Sequence, residues 1–329
     1  LGLFHDNLVA CNFYLRHLHD EMKQNSPFSL HLLGVVSLCT IATAETALAA
    51  PPTACATVSA SAEEDTPKGL IYHDLSVRAP SGTTSLHVKK LVFTGQASSP
   101  EATQDLAQAA SLLLVSAMTG HHNAACTQWL MEQGRLVTSS LQSGGHYDLT
   151  WNNATVEQGA AHVNATMAHY QIQGAATPRT SAATLSMSGL SFHNVLNQQL
   201  LPTEAHAAFA LPTSELPALM SAIGGRSTAA PAVHATISSF EASEGTVKLQ
   251  GHGQATLTGD VAATSASGHL EISNLEELIE KARAAHQMKL AAGLVLGRLV
   301  SHRAGEQNTW DTTWEGGVLT VNGFPLPIK

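Results

Sequence analysis

The groups that could do chemistry in this chain are its 18 histidines, its 25 aspartates and glutamates, and abundant serine. A serine, a histidine and an acid brought together in space would make a hydrolase. No Gly-x-Ser-x-Gly elbow, His-Glu-x-x-His pair or phosphate-binding loop occurs, so spacing singles out no catalytic, cofactor-binding or metal-ligating residue. His121-His122 with Cys126 is the nearest approach to a metal motif. Zinc needs three or four convergent ligands, and no second Cys or His pair accompanies it; a solvated helix end is the plainer reading. Gly251-His252-Gly253 is half of a dinucleotide fingerprint. Its third glycine is missing, and a strand follows where a helix N-terminus would have to hold the phosphate. Trp310 and Trp314, four apart on a strand, share one face. They are candidates for contact with a sugar or lipid chain, or for closing a sheet end against a helix.

Fourteen histidines lie beyond residue 49, including His73, His87, His162, His169, His206, His252 and His269. Most sit beside Ser or Thr in alternating segments and read as filling for a polar face. A pH-sensing surface is the rival reading, because imidazole titrates near neutrality.

The start of the chain reads as an export signal. Met22 and Lys23 open a short positive region, Leu32 to Ala42 is apolar, and Ala47-Leu48-Ala49 is a small-x-small cleavage site. The apolar stretch is shorter than the ~20 residues of a spanning helix. The expected organisation is an over-extended upstream segment at 1–21, a Sec-type signal peptide at 22–49, a linker at 50–68 and a single β-rich domain at 69–329. Cleavage near Ala49 would leave two cysteines, Cys55 and Cys126, and lower the net charge from -9 to -7. Two cysteines in an oxidising compartment predict one disulfide. A negative, lysine-poor chain is a poor binder of nucleic acid.

The elements that would position these residues are mostly strands. Period-2 alternation marks Ile71–Val77, Ser85–Phe93, Tyr147–Trp151, His162–Ile172, Ala183–Phe192, Ala205–Leu211, Val233–Phe240, Thr246–Leu257 and Ser267–Ile272, with a terminal hairpin around Glu315-Gly316-Gly317. Ser99-Pro100 predicts a helix start and Gly120 its end. A second short helix is expected at Ala124–Glu132 and another at Ser214–Ile223. Ser273-Asn274-Leu275-Glu276 reads as a capping box opening a helix towards His302. Its second half, Leu290–Val300, is apolar nearly all round, which predicts burial.

The C-terminal run Trp314-Glu315-Gly316-Gly317-Val318-Leu319-Thr320-Val321-Asn322-Gly323-Phe324-Pro325-Leu326, with the sheet-then-helix pattern at Ser273–Ile279, resembles a family of exported proteobacterial proteins, domain-of-unknown-function family 2125. The similarity is one of style over 68–329 and is sharp in the last sixty residues. That family is similar in pattern to AsmA-like envelope proteins, whose curved sheets offer an apolar trough to lipids. The resemblance implies no catalytic residues. The expected fold is α+β, a large curved, mainly antiparallel sheet with two or three helices packed on it. The expected protein is periplasmic and non-enzymatic, with no cofactor, no transmembrane segment in the mature chain, and a lipid or other hydrophobic small molecule on the apolar sheet face. The alternatives are a scaffolding module with an envelope-protein partner, and a hydrolase with a spatial Ser-His-acid site.

Overall fold

In the computed structural model, residues 50–95, 99–177, 179–225, 232–258 and 263–326 are described. The expected upstream segment and signal peptide lie outside these residues. The described strands join one sheet in which every pairing is antiparallel, as expected, but the sheet is open and uncurled where a curved one was expected. One edge is β1 (Thr57–Ser59) and β2 (Ala62–Thr66), both paired with β3 (Gly69–Arg78). β4 (Thr84–Gly95), β5 (His146–Gln158), β6 (Ala161–Gly174), β7 (Thr180–Ser188) and the short β8 (Ser191–His193) follow. Then come β9 (Glu204–Pro212), β10 (Val233–Glu244), β11 (Val247–Leu257) and β12 (Ser265–Ser273). The far edge holds β13 (His302–Ala304), β14 (Gln307–Glu315), β15 (Val318–Val321) and β16 (Phe324–Leu326). Strands close in the chain neighbour one another because short turns permit only antiparallel pairing.

The described residues hold five α-helices, where two or three were expected. α1 (Pro100–Thr119) and α2 (Thr127–Gln142) are inserted between β4 and β5, and α3 (Leu216–Gly224) between β9 and β10. α4 (Leu275–Ala284) and α5 (Met288–Leu299) lie between β12 and β13. Ser99 caps α1, its hydroxyl accepting from the Ala102 N–H at 3.2 Å, and Gly120 ends it in the left-handed conformation at φ 66°. The short helix expected at 124–132 runs on to Gln142 as α2.

Three expectations need correction. The stretch taken as a linker contains β1 and β2, and Cys55 and Ala56 are buried in the core. Its polar composition fits an edge strand, where Glu63, Glu64 and Asp65 remain in water. The capping box does not form. Ser273 stays in the ladder opposite Lys248 and Gln307, so Asn274 makes the turn at φ 57° without a side-chain cap, and Glu276 pairs with Arg298. The helix expected to reach His302 breaks at His286, which has φ 58°. The break folds α5 back, so that Leu294 and Ala291 reach the same core as Leu275 and Ile279.

All five helices lie on one face of the sheet but serve two separate cores. The larger joins α1, α2 and α3 to the apolar face of β3 to β7, of β9 and of the start of β10, around Leu75, Leu86, Leu91, Leu130, Trp151 and Leu211. The smaller joins α4 and α5 to β12, β14 and β15, around Ile272, Leu275, Ile279 and Trp310. Four neighbouring strands each flip their alternation once. Leu70, Tyr72, Leu75 and Val77 are buried on β3, Leu86, Val88, Leu91 and Phe93 on β4, and Tyr147, Leu149, Trp151, Ala154 and Val156 on β5. The residues at the flip, Asp74, Lys89, Asn153 and Thr166, are skipped together in the pairing register. Asp74 and Asn153 take positive φ there (47° and 49°), a conformation that Asn and Asp tolerate. The shared irregularity keeps the apolar side chains of both halves on the helix-bearing face.

Candidate functional site

The apolar face continues across β10, β11, β12 and β14 from one core to the other, and in the middle of it Ala235, Ile237, Ala255 and Ala266 belong to neither. Register defines it row by row. Ala235, Ala255 and Ala266 lie side by side on β10, β11 and β12, followed by Trp314 on β14. The next row is Ile237, Gly253, Gly268 and Thr312, and the next Phe240, Gly251, Leu270 and Trp310. Rows on one face are about 7 Å apart, and β10 to β14 spans about 14 Å, from the ordinary strand geometry. Ala235, Ile237, Phe240, Ala255, Ala266 and Leu270 are all half-buried.

Small residues form a floor between bulkier rows. Val233 and Leu257 flank it on one side, Phe240 and Leu270 on the other. Gly253 and Gly268 face each other in the middle, where the floor has no side chain. A Cβ added at Gly253 would come within 2.8 Å of the Gly268 Cα, so the close backbone approach depends on both glycines. Glycine within a strand marks a place where a ligand or another backbone comes close. At Gly251 an added Cβ would lie 2.7 Å from the Phe240 ring, which packs across that backbone.

The helices bound this strip at both ends. Near α1 and α3 it meets a cavity of about 310 Å³ lined by Ala117, Leu219, Ala222, Ile223, Val233 and Leu257. At the other end Lys281 of α4 sits 3.2 Å from both Glu244 and Glu277, tying the helix to the β10–β11 turn. Hydrogen bonds from Thr246 first, then from Lys281, hold the Glu277 carboxyl below its ordinary pKa.

The opposite face of the sheet is polar and rich in histidine. His252 and His269 stand opposite each other with ring centroids 5.6 Å apart, and His162 and His193 at 5.1 Å. Several imidazoles meet an acid or a serine. His169 lies 3.1 Å from Asp148, His269 2.9 Å from Asp311, and His206 2.9 Å from the Ser186 hydroxyl. In none of these does histidine stand between serine and acid, as a triad requires. At Ser85 the order is reversed. Its hydroxyl donates to Glu157 at 2.9 Å and lies 3.5 Å from His87, so serine is the middle member.

The structure separates the residues singled out from the sequence. Cys55 and Cys126 form a disulfide, closing the loop that contains β1 to β4 and α1. Cys126 therefore cannot ligate a metal beside His121 and His122. Among the described residues no group of three or more His, Cys, Asp or Glu converges as a metal site. Trp310 and Trp314 do share a face, but Trp310 is buried beneath α5 and its indole N–H donates to the Gly297 carbonyl at 2.8 Å. Trp310 is thus taken up by packing and withdrawn from ligand contact, while half-buried Trp314 ends the alanine row. Gly251 and Gly253 lie on a strand, as expected, and belong to the floor. Sequence reading missed that floor. Its signal was glycine and alanine recurring at every second position from Gly251 to Ala255, answered by Ala266 and Gly268.

Comparison with protein-family models, with curated proteins and with solved structures returns no match. Among the described residues no helix is long and apolar enough to cross a membrane.

Proposed function

We propose that this protein is an exported, non-enzymatic carrier that holds a hydrophobic ligand, of lipid type, on the apolar strip between its two helical layers. The observation that carries the reading is the Ala/Gly floor at Ala235, Ala255, Ala266, Gly253 and Gly268, left outside both cores and bounded by bulky rows. Binding sites of this kind are mostly apolar, concave and largely preformed. In this reading the walls come from the helices and from Phe240 and Leu270, and the sheet itself stays open. The three rows contain no charged side chain, so the strip would hold a ligand by its apolar part and leave any charged headgroup to solvent. The disulfide supports a place in an oxidising compartment such as the periplasm, as do the signal-like segment at 22–49 and the resemblance of 273–279 and 314–326 to an exported family.

A scaffolding role through sheet extension has less support. The β2 edge carries Glu63, Glu64 and Asp65, and β16 carries Pro325, which cannot donate to a ladder. The test is lipid mass spectrometry on the purified protein, with displacement of a fluorescent fatty acid as the quantitative readout. Ala235→Phe with Ala255→Phe fills the floor at two half-buried positions and should weaken probe binding at least tenfold while leaving the thermal midpoint near that of the wild type. Probe binding that survives this double substitution, or wild-type protein with no exchangeable lipid, would count against the strip as the site.

A further inference from the structure

Helix α5 presents an apolar surface that its sequence predicts should be buried. Only Ala291 and Leu294 are buried along it. Met288, Leu296 and Leu299 are 63 %, 61 % and 76 % exposed. At 3.6 residues per turn these three and Ala292 fall within an arc of about 80°. A Cβ added at Gly293 or Gly297, on the flank between the ridge and the buried side of the helix, would meet nothing within 4 Å, so that flank is open as well. Large apolar side chains exposed together mark a surface for a partner or a membrane.

Charge chooses the occupant. Between Glu280 and Glu306 the chain has five of its 16 cations and no acid. Lys281, Arg283 and Arg298 are taken up by Glu244, Glu277, Glu280 and Glu276. Lys289, beside the ridge, makes no ion pair among the described residues, and exposed Arg303 donates to the Gly305 carbonyl. A second copy docked on the same stripe would bring these cations together with no acid on α5 to meet them. A ridge one helix wide, with Lys289 on its flank and Arg303 four residues past its C-terminal end on β13, suits a lipid interface. There the leucines enter the acyl boundary and the cations meet phosphate.

We propose that α5 seats the protein on an anionic lipid surface through Met288, Leu296 and Leu299, with Lys289 and Arg303 at the phosphates. The proposal goes beyond the ligand reading and does not rest on it, since α5 lies outside the Ala/Gly floor.

The experiment is co-sedimentation of the full chain with phosphatidylcholine vesicles, with and without phosphatidylglycerol. Residues 1–49 are common to every variant, so differences between variants report α5 alone. The wild type should prefer the anionic vesicles, and added salt should weaken that preference. Leu296→Ser with Leu299→Ser should reduce sedimentation about tenfold or more, with an unchanged thermal midpoint because both side chains are already exposed. Lys289→Glu with Arg303→Glu should remove the anionic preference and spare the weaker binding to neutral vesicles. Equal sedimentation of wild type and the leucine variant would overturn the proposal, as would the lack of an anionic preference. A wild-type dimer by light scattering that the leucine variant converts to monomer would reassign the ridge to self-association.

Discussion

Asp105 sits on the buried face of α1, 3 % exposed, with its Oδ2 lacking a hydrogen-bond partner. Burial pushes its pKa up from 3.8 to about 6. Gln108, three residues further along the helix, has an equally unpartnered Oε1, while its amide nitrogen lies 3.5 Å from the Tyr72 hydroxyl. Burial, first of all, likewise drives that hydroxyl up to about 12. A carboxyl whose pKa is raised on folding supports the fold fully below its unfolded value, near pH 4. It loses that support as the pH rises through about 6. A rise of about two pKa units corresponds to roughly 3 kcal/mol at 1.36 kcal/mol per unit. Asp105→Asn keeps the shape and removes the charge. The variant should gain on the wild type by up to about 3 kcal/mol between pH 4 and pH 7.5. Urea unfolding at a series of pH values measures this, with the difference between the two proteins as the observable. Taking the difference cancels carboxyls of opposite sign, such as Glu101 and Glu277, whose pKa values are lowered. A difference flat with pH to within about 0.5 kcal/mol would refute burial as the controlling influence on Asp105. A variant that loses ground as the pH rises would refute the sign of the shift.

Three further outcomes are expected. Replacing Cys55 and Cys126 together by serine should lower stability by about 4 kcal/mol, from the closure entropy of a loop of 71 residues' separation, read as a shift in the denaturant midpoint. Trp310→Phe leaves the Gly297 carbonyl without its donor and should cost about 1–2 kcal/mol. The loss should show as faster amide exchange in α5 and β14, with α1 to α3 unaffected. Gly120→Ala forces a Cβ into the left-handed cap of α1 and should cost about 1 kcal/mol, measured as a lower thermal midpoint.

Much of the fold was legible because it follows from local rules. Alternation marked most of the strands, Ser99-Pro100 and Gly120 marked the ends of α1, and the two downstream cysteines marked the disulfide. The irregularity across β3 to β6 was also present in the sequence. Apolar residues recur at spacings of two, three and two in Leu70-Tyr72-Leu75-Val77, in Leu86-Val88-Leu91-Phe93 and in Leu149-Trp151-Ala154-Val156. Each strand alone looks like imperfect alternation. Only their alignment shows that all four flip at one line.

The capping box at Ser273 failed because pairing with β11 and β14 holds that residue in the sheet, and a ladder on both sides outweighs a local cap. The helix towards His302 broke without glycine or proline, so no residue type announced the break. Refolding at His286 lets α5 bury Ala291 and Leu294 in the smaller core, a gain that exists only once β12 and β14 are in place.

By itself, then, the sequence determined the antiparallel sheet, its one apolar and one histidine-rich face, and the pairing of Cys55 with Cys126. Each depends on residue type, short-range period or a count. Tertiary structure alone decided which part of that apolar face the helices cover. Five helices were distributed to two ends of the sheet, leaving the Ala/Gly floor between them and the leucines of α5 outside. Coverage depends on where inserted segments land across the sheet, and a period-2 pattern is the same whether its apolar side meets a helix, a ligand or water.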